Sequence, residues 1–222
     1  MSGYIAPALV ENENDLIEYY VDGSDPVDPN APKGYSERFI HGEIFKRFPE
    51  INSVVHSHAE SVLPYAVGTD PAPMLPMYHM AGFLGTRVKV WDIMSAYPEH
   101  AVQNMLVNNA HVGSSLANMF SSSPDGPLEE TVVLMQRHGY ATHGVDIETA
   151  VDRAIYTLVN AGIQTQATLL QSATGGANAT GLSPQQAKDC RAMNEGTQDK
   201  AWRLWVRETQ ANSLYRNSMN FP

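Results

Sequence analysis

The stretch from Ser53 to Ala59, Ser-Val-Val-His-Ser-His-Ala, constrains this chain more than any other. It reads as a buried strand running directly into two histidines. In an extended chain residues i and i+2 project from one face, so His56 and His58 present both imidazoles to a single point. That is a chelate geometry, and two neutral imidazoles on a rigid strand suit a divalent ion of the zinc, iron, cobalt or manganese kind. A third ligand from elsewhere would complete an open catalytic site. The competing explanation is plainer: two histidines at a strand end, each bonded to a neighbouring carbonyl.

Composition narrows what such a site can serve. With 222 residues, 43% of them apolar, the chain fits one domain with a real core and a helical tail. Its 24 acidic and 14 basic residues give a net charge of −10 with no Lys/Arg-rich run, which argues against a nucleic-acid or membrane partner. The single cysteine, Cys190, rules out an intrachain disulfide framework and reads as a small helix residue. Met1 to Asp15 shows no basic region followed by an apolar run, and no stretch of about 18 apolar residues occurs. The expectation is a cytoplasmic enzyme acting on a small molecule.

Along the chain, Leu16 to Val21 is rich in strand formers and Asp22-Gly23 supplies a turn, followed by a proline-rich loop over Asp25 to Lys33. Ser36 is the expected N-cap of a helix whose apolar side carries Phe39, Ile40, Ile44, Phe45 and Phe48, ending before Pro49. That helix delivers Glu37 in its first turn. After the histidine strand the pattern predicts a short helix from Glu60 to Val67, a strand from Arg87 to Trp91, and helices over Pro98 to Val107 and Gly113 to Phe120. Thr131 to Gln136 reads as a second, fully buried strand, continued by Tyr140 to Thr142 after a tight turn at Gly139. Ile147 to Gln171 is the longest helical pattern and the expected central packing helix. Beyond the flexible Gly175–Gly181 loop, Ser183 caps a helical tail through Trp202, Trp205 and Tyr215. A catalytic domain over 1–173 and a helical extension over 182–222 follow from this division, the extension packing on the same domain or on a neighbour.

Both apolar strands end in histidine, because Thr131 to Arg137 leads into His138-Gly139 as Ser53 to Val55 leads into His56. Strand ends are where an α/β sheet places its site. His138 is therefore the candidate third ligand, against the plainer possibility of a turn histidine before a glycine. His41 and His100 read as surface residues, while His111 and His143 stay open.

With these residues in view, the chain resembles the class II aldolase/adducin family, over roughly Leu16 to Leu170. Ser36-Glu37, a helix, His56-Ser57-His58-Ala59, then a buried strand ending in His138-Gly139 and a long alanine-containing helix carry the resemblance. The step of 19 positions from Glu37 to His56 matches the family spacing. Members include sugar-phosphate aldolases of the fuculose type, ribulose-phosphate epimerase, a four-carbon acid-phosphate decarboxylase and methylthioribulose-phosphate dehydratase. The resemblance implies a three-layer α/β/α sandwich with a three-histidine metal site, His56, His58 and His138, facing Glu37. The ion implied is divalent, zinc first, with manganese, cobalt or iron as alternatives, and it would stabilise an enediolate or enolate. Glu37 would move the proton, with surroundings that raise its pKa. A cyclic homotetramer is implied as well.

Departures from the family pattern bear on the reaction. The segment that helps bind phosphate at the start of the sugar-phosphate aldolases is absent here, so the sheet is expected to lack its N-terminal edge. Ser36 survives of a serine pair whose other position is Tyr35. Either the substrate carries no phosphate or the sequence is truncated at its N-terminus. Where aldolases carry His-Tyr, this chain has His79-Met80 preceded by Tyr78, so Tyr78 and His79 join Ser36 as candidate substrate contacts and aldol cleavage loses support. The favoured function is a metal-dependent lyase on a small hydroxy-carbonyl or hydroxy-acid compound, by aldol cleavage or decarboxylation. The alternatives are an epimerase or dehydratase of the same family, a non-haem iron oxygenase on the same fold, and a non-catalytic adducin-like scaffold.

Overall fold

The computed structural model describes residues 1–218; the last four positions of the expected helical extension lie outside them. Four strands, β1 (Ser53–Ser57), β2 (Lys89–Trp91), β3 (Val132–Met135) and β4 (Gly139–Gly144), form one sheet in the order β1-β4-β3-β2. β1 and β3 each pair antiparallel with β4, and β2 runs parallel to β3. It follows that β1, β2 and β3 point the same way, and that His56, His58 and His138 all lie at their C-terminal ends.

The alternation of β3 builds the three layers. Val133 and Met135 face one apolar cluster with Ile40 and Ile44 of α1 (Arg38–Arg47) and Val112 and Leu116 of α2 (Ala110–Asn118). Val132 and Leu134 face a second cluster with Ala154 and Ala161 of α3 (Ile147–Thr174). A strand packed on both faces shows no polar alternation, and all four of its residues are buried. β1 differs from expectation: it is an edge strand in which Val54 alone is fully buried.

The ends of α3 are set by local chemistry. The Asp146 carboxylate accepts the Thr149 amide at 2.7 Å as N-cap, and Gly175 adopts the left-handed C-terminal conformation at φ 67°. The tail is two helices rather than one, α4 (Pro184–Asn194) and α5 (Gln198–Ala211), with Tyr215 beyond both. α4 lies on the 3₁₀ turns His79–Leu84, where a Cβ on Gly82 would come within 2.6 Å of the Ala187 carbonyl. α5 lies on α3 through Trp205 and Tyr156, whose ring centroids are 6.1 Å apart.

Three expected elements take other forms. Leu16 to Val21 makes only isolated bridges, Ser2 to Leu16 and Tyr19 to Pro26, because the proline-rich strip beside it cannot donate a regular ladder. The N-terminal segment thus adds no strand to the sheet among the described residues. Glu60 to Val67 contains Pro64 and forms one 3₁₀ turn, Leu63–Tyr65. Residues 98 to 107 are irregular, with His100 and Met105 at positive φ and the Asn104 side chain taking the Leu106 amide, a bond that competes with helix. Among the described residues no helix is long and apolar enough to cross a membrane.

Candidate active site

Glu37 occupies the N-cap of α1, one position after Ser36, and neither side chain caps the helix. Instead the Glu37 carboxylate turns to the C-terminal edge of the sheet, where Oε1 accepts the Val107 amide at 3.2 Å and lies 3.3 Å from His138 Nε2. Oε2 stands 3.9 Å from His56 Nε2. His56 and His58 share a face as their i, i+2 spacing requires, with Nε2 atoms 3.0 Å apart. Donor atoms of Glu37, His56, His58 and His138 all lie within 4.8 Å of one another.

The backbone fixes this convergence. His56 Nδ1 lies 3.0 Å from the Tyr140 carbonyl on the neighbouring strand. A carbonyl only accepts, so Nδ1 carries the proton and Nε2 keeps a free lone pair toward the cluster. Burial, joined by the His138 charge, pushes the His56 pKa down to about 3 against the pull of Glu37 and Tyr140, so the ring is neutral at pH 7. His138 enters from the tight β3–β4 turn, between Arg137 at φ 57° and Gly139 at φ 154°. A Cβ on Gly139 would stand 2.1 Å from the Ser57 carbonyl, so only glycine lets this turn lie against the end of β1. His138 Nδ1 is buried with no hydrogen-bond partner.

Three imidazoles and one carboxylate are the donor set of a borderline divalent ion. The 3.0 Å between two Nε2 atoms is what two ligands about 2.0–2.1 Å from a common ion allow. The residues fit a metal. The expected rise in the Glu37 pKa is not found: burial pushes it up, but the hydrogen bond and charge of His138, the Val107 amide and His56 together hold it below the usual carboxylate value.

The other sequence candidates lie outside the cluster. Ser36 is exposed. Tyr78 packs partly against the second apolar cluster, with its hydroxyl buried and unpartnered and its pKa pushed up to about 12 by burial, Tyr156 and Asp152. His79 is exposed, its carbonyl accepting the Asn194 side chain at 2.7 Å. His41, expected at the surface, is partly buried against the Val54 backbone, and burial takes its pKa down to about 4. His143 is structural, Nε2 donating to the Glu130 carbonyl at 2.9 Å. His100 and His111 are exposed. Sequence reasoning missed the Val107 amide, since a backbone group leaves no residue-type signal.

Comparison with known proteins bears on this geometry. The family described as "Class II Aldolase and Adducin N-terminal domain" matches residues 8–165. The chain belongs to this family. Within the relatives of this class II aldolase chain, the protein named Decarboxylase tropJ of Talaromyces stipitatus is 42% identical over 224 residues, covering 98% of this chain and 83% of that protein. The 3,4-dihydroxyphthalate decarboxylase of Arthrobacter keyseri is 28% identical over 153 residues, 67% of this chain and 55% of that protein. In fold, an aldolase II superfamily protein from Pseudomonas syringae matches with a TM-score of 0.62 at 16% identity, over 89% of this chain and 72% of that one. The chain is a class II aldolase-like enzyme of the lyase class.

Proposed function

We propose that this lyase is a divalent-metal decarboxylase of a small, unphosphorylated hydroxy acid. The observation that carries the reading is the convergence of Glu37, His56, His58 and His138 within 4.8 Å at the end of the sheet. Two relatives are named as decarboxylases, and the printed name of one gives a hydroxylated aromatic acid. Tyr35, at the position of the missing serine, has its hydroxyl bonded to the Ile5 carbonyl, so it offers no free group to a phosphate.

His56, His58 and His138 would hold the ion, zinc in the first instance. Bound there, it supplies Lewis-acid stabilisation of the negative charge left when the carboxylate departs. Glu37 does the proton work. With Oε1 committed to Val107 and His138, Oε2 is the oxygen free to take the proton of the substrate hydroxyl. The C–C bond to the carboxylate then breaks, CO2 leaves, its electron pair stays on carbon, and Glu37 returns the proton to that carbon. A carboxyl held below its usual pKa begins this cycle as the base. Ser36, Tyr78 and His79 are proposed substrate contacts, Ser36 because it adjoins Glu37. A homo-oligomer, tetrameric by family resemblance, is proposed on the same basis and agrees with exposed Leu169, Leu170 and Leu204 on α3 and α5.

The test is metal analysis of the purified protein followed by a screen of the metal-replete enzyme against hydroxylated acids with and without phosphate. CO2 release with one stoichiometric ion is expected. A protein that binds no metal, or that cleaves an aldol without releasing CO2, overturns the reading.

A further inference from the structure

α1 and β1 carry two groups whose spacing the chemistry depends on, Glu37 and His56, with Oε2 and Nε2 3.9 Å apart. Residues i and i+2 of a strand project to one face, so Val54 and His56 look the same way. That face packs on α1, where Val54 joins Ile40 and Ile44 in the first apolar cluster. Apolar attraction is non-directional, so it holds the helix to the strand without fixing how the two are aligned.

A directional tie comes from His41. It stands four residues after Glu37, one turn along α1, and its ring is hydrogen-bonded to the Val54 backbone. That bond favours the protonated form, so a ring nitrogen donates and the Val54 carbonyl accepts. β1 is an edge strand with β4 as its one neighbour in the sheet, and carbonyls on its outer side need donors from elsewhere. Burial, joined by the Met1 amino group, holds the His41 pKa down at about 4 against the Val54 bond and the Glu37 charge. The ring is therefore neutral at pH 7 and has one N–H to give.

We infer that His41 is a positioning residue of the reaction: through Val54 it aligns α1 with β1 and so sets where the Glu37 carboxyl stands relative to His56. It acts through Glu37 rather than on the reacting atoms. The inference deepens the decarboxylase reading, because it assigns the residue that readies Glu37 for proton transfer. Its geometric part holds whatever the substrate is.

The test compares the full chain as wild type, His41→Leu, His41→Gln and His41→Asn. Leucine has no donor, while the two amides offer one at the reach of Nε2 or Nδ1. Crystal structures should show the separation of Glu37 Oε2 from His56 Nε2 changed by about 1 Å in His41→Leu, with Ile40, Ile44 and Val54 still packed together. A misplacement of that size costs up to about 10²-fold in rate. On the hydroxy acid that the wild type decarboxylates fastest, His41→Leu should lose about tenfold in kcat with KM little changed, and the amide that regains the Val54 bond should recover it. In a Glu37→Gln background His41→Leu should cost nothing further, because nothing is left to position. An unchanged separation in His41→Leu, or an equal loss of kcat in both backgrounds, overturns the inference. A wild type that releases no CO2 overturns the decarboxylase reading instead, and the crystallographic separation then decides for or against His41.

Discussion

Glu37 stands between opposing influences. Burial drives its carboxyl toward the neutral form, while His138, the Val107 amide and His56 hold the charged form, and the second group prevails. Gln in its place keeps the shape and the Val107 bond but cannot carry a proton. Glu37→Gln should therefore retain the ion and lose about 10²–10⁴ in turnover, read as CO2 release against metal content. A fully active variant removes Glu37 from the chemistry. At Gly139 the argument is steric. An alanine Cβ 2.1 Å from the Ser57 carbonyl must push the His138 turn off β1, so Gly139→Ala should lower metal occupancy and cost more than about 2 kcal/mol in denaturant unfolding. The histidine pair was legible in the sequence because period two is a purely local rule. His138 needed the strand order as well, and its proximity to the pair could be inferred only from two strands ending alike.

α3 does more than cover the sheet. Its buried Asn160 and Gln164, one turn apart, hold the segment before Tyr78 by a ladder of amide bonds. Asn160 Nδ2 donates to the Leu75 carbonyl at 2.8 Å and Oδ1 accepts the Met77 amide at 2.8 Å. Gln164 Nε2 donates to the Pro73 carbonyl at 2.7 Å and Oε1 accepts the Leu75 amide at 2.9 Å. A proline-containing segment without regular structure is thus held to α3 by four hydrogen bonds. Asn160→Leu leaves the Leu75 carbonyl and the Met77 amide unmet in a partly buried setting, so a loss of about 1–3 kcal/mol is expected in chemical denaturation. A change under about 0.5 kcal/mol would show that the ladder adds little. The length of α3 was legible because its apolar repeat spans many turns. The amide ladder was not, since a polar residue on an otherwise apolar helix face looks the same whether it meets water or backbone. Residues 98 to 107 were misread as helix for a related reason: Met105, Leu106 and Val107 are apolar, but it is Val107 that is buried in the core, with Met105 packed against the same cluster in a left-handed conformation.

At the scale of the whole molecule, stability depends on groups that are not part of the candidate site as well as on the site. A chelator should lower the melting temperature together with activity, and zinc should restore both, since an ion that binds only the folded chain stabilises it by mass action. Proton binding acts through several histidines whose pKa values burial lowers, His143 among them. Burial first, and the Arg153 charge beside it, take the His143 pKa from 6.5 down to about 4 against the pull of the Glu130 carbonyl. Between those values the unfolded chain accepts a proton that the folded chain refuses. The stabilising contribution is therefore complete above about pH 6.5 and is lost as pH falls toward 4. Asp152 acts with the opposite sign, because burial raises its pKa from 3.8 to about 6, and the folded chain gains on acidification below that point. A pH curve of the wild type alone would blur the two. His143→Gln separates them, because the amide can still donate to Glu130 but cannot titrate, and Asp152 is common to both proteins and cancels in the difference. From pH 7 to pH 5 the stability of His143→Gln relative to wild type should rise by about 2 kcal/mol, read from urea unfolding at each pH. A difference that stays flat over this interval would mean that His143 is protonated in the folded chain and that its bond to Glu130 does not depend on a neutral ring.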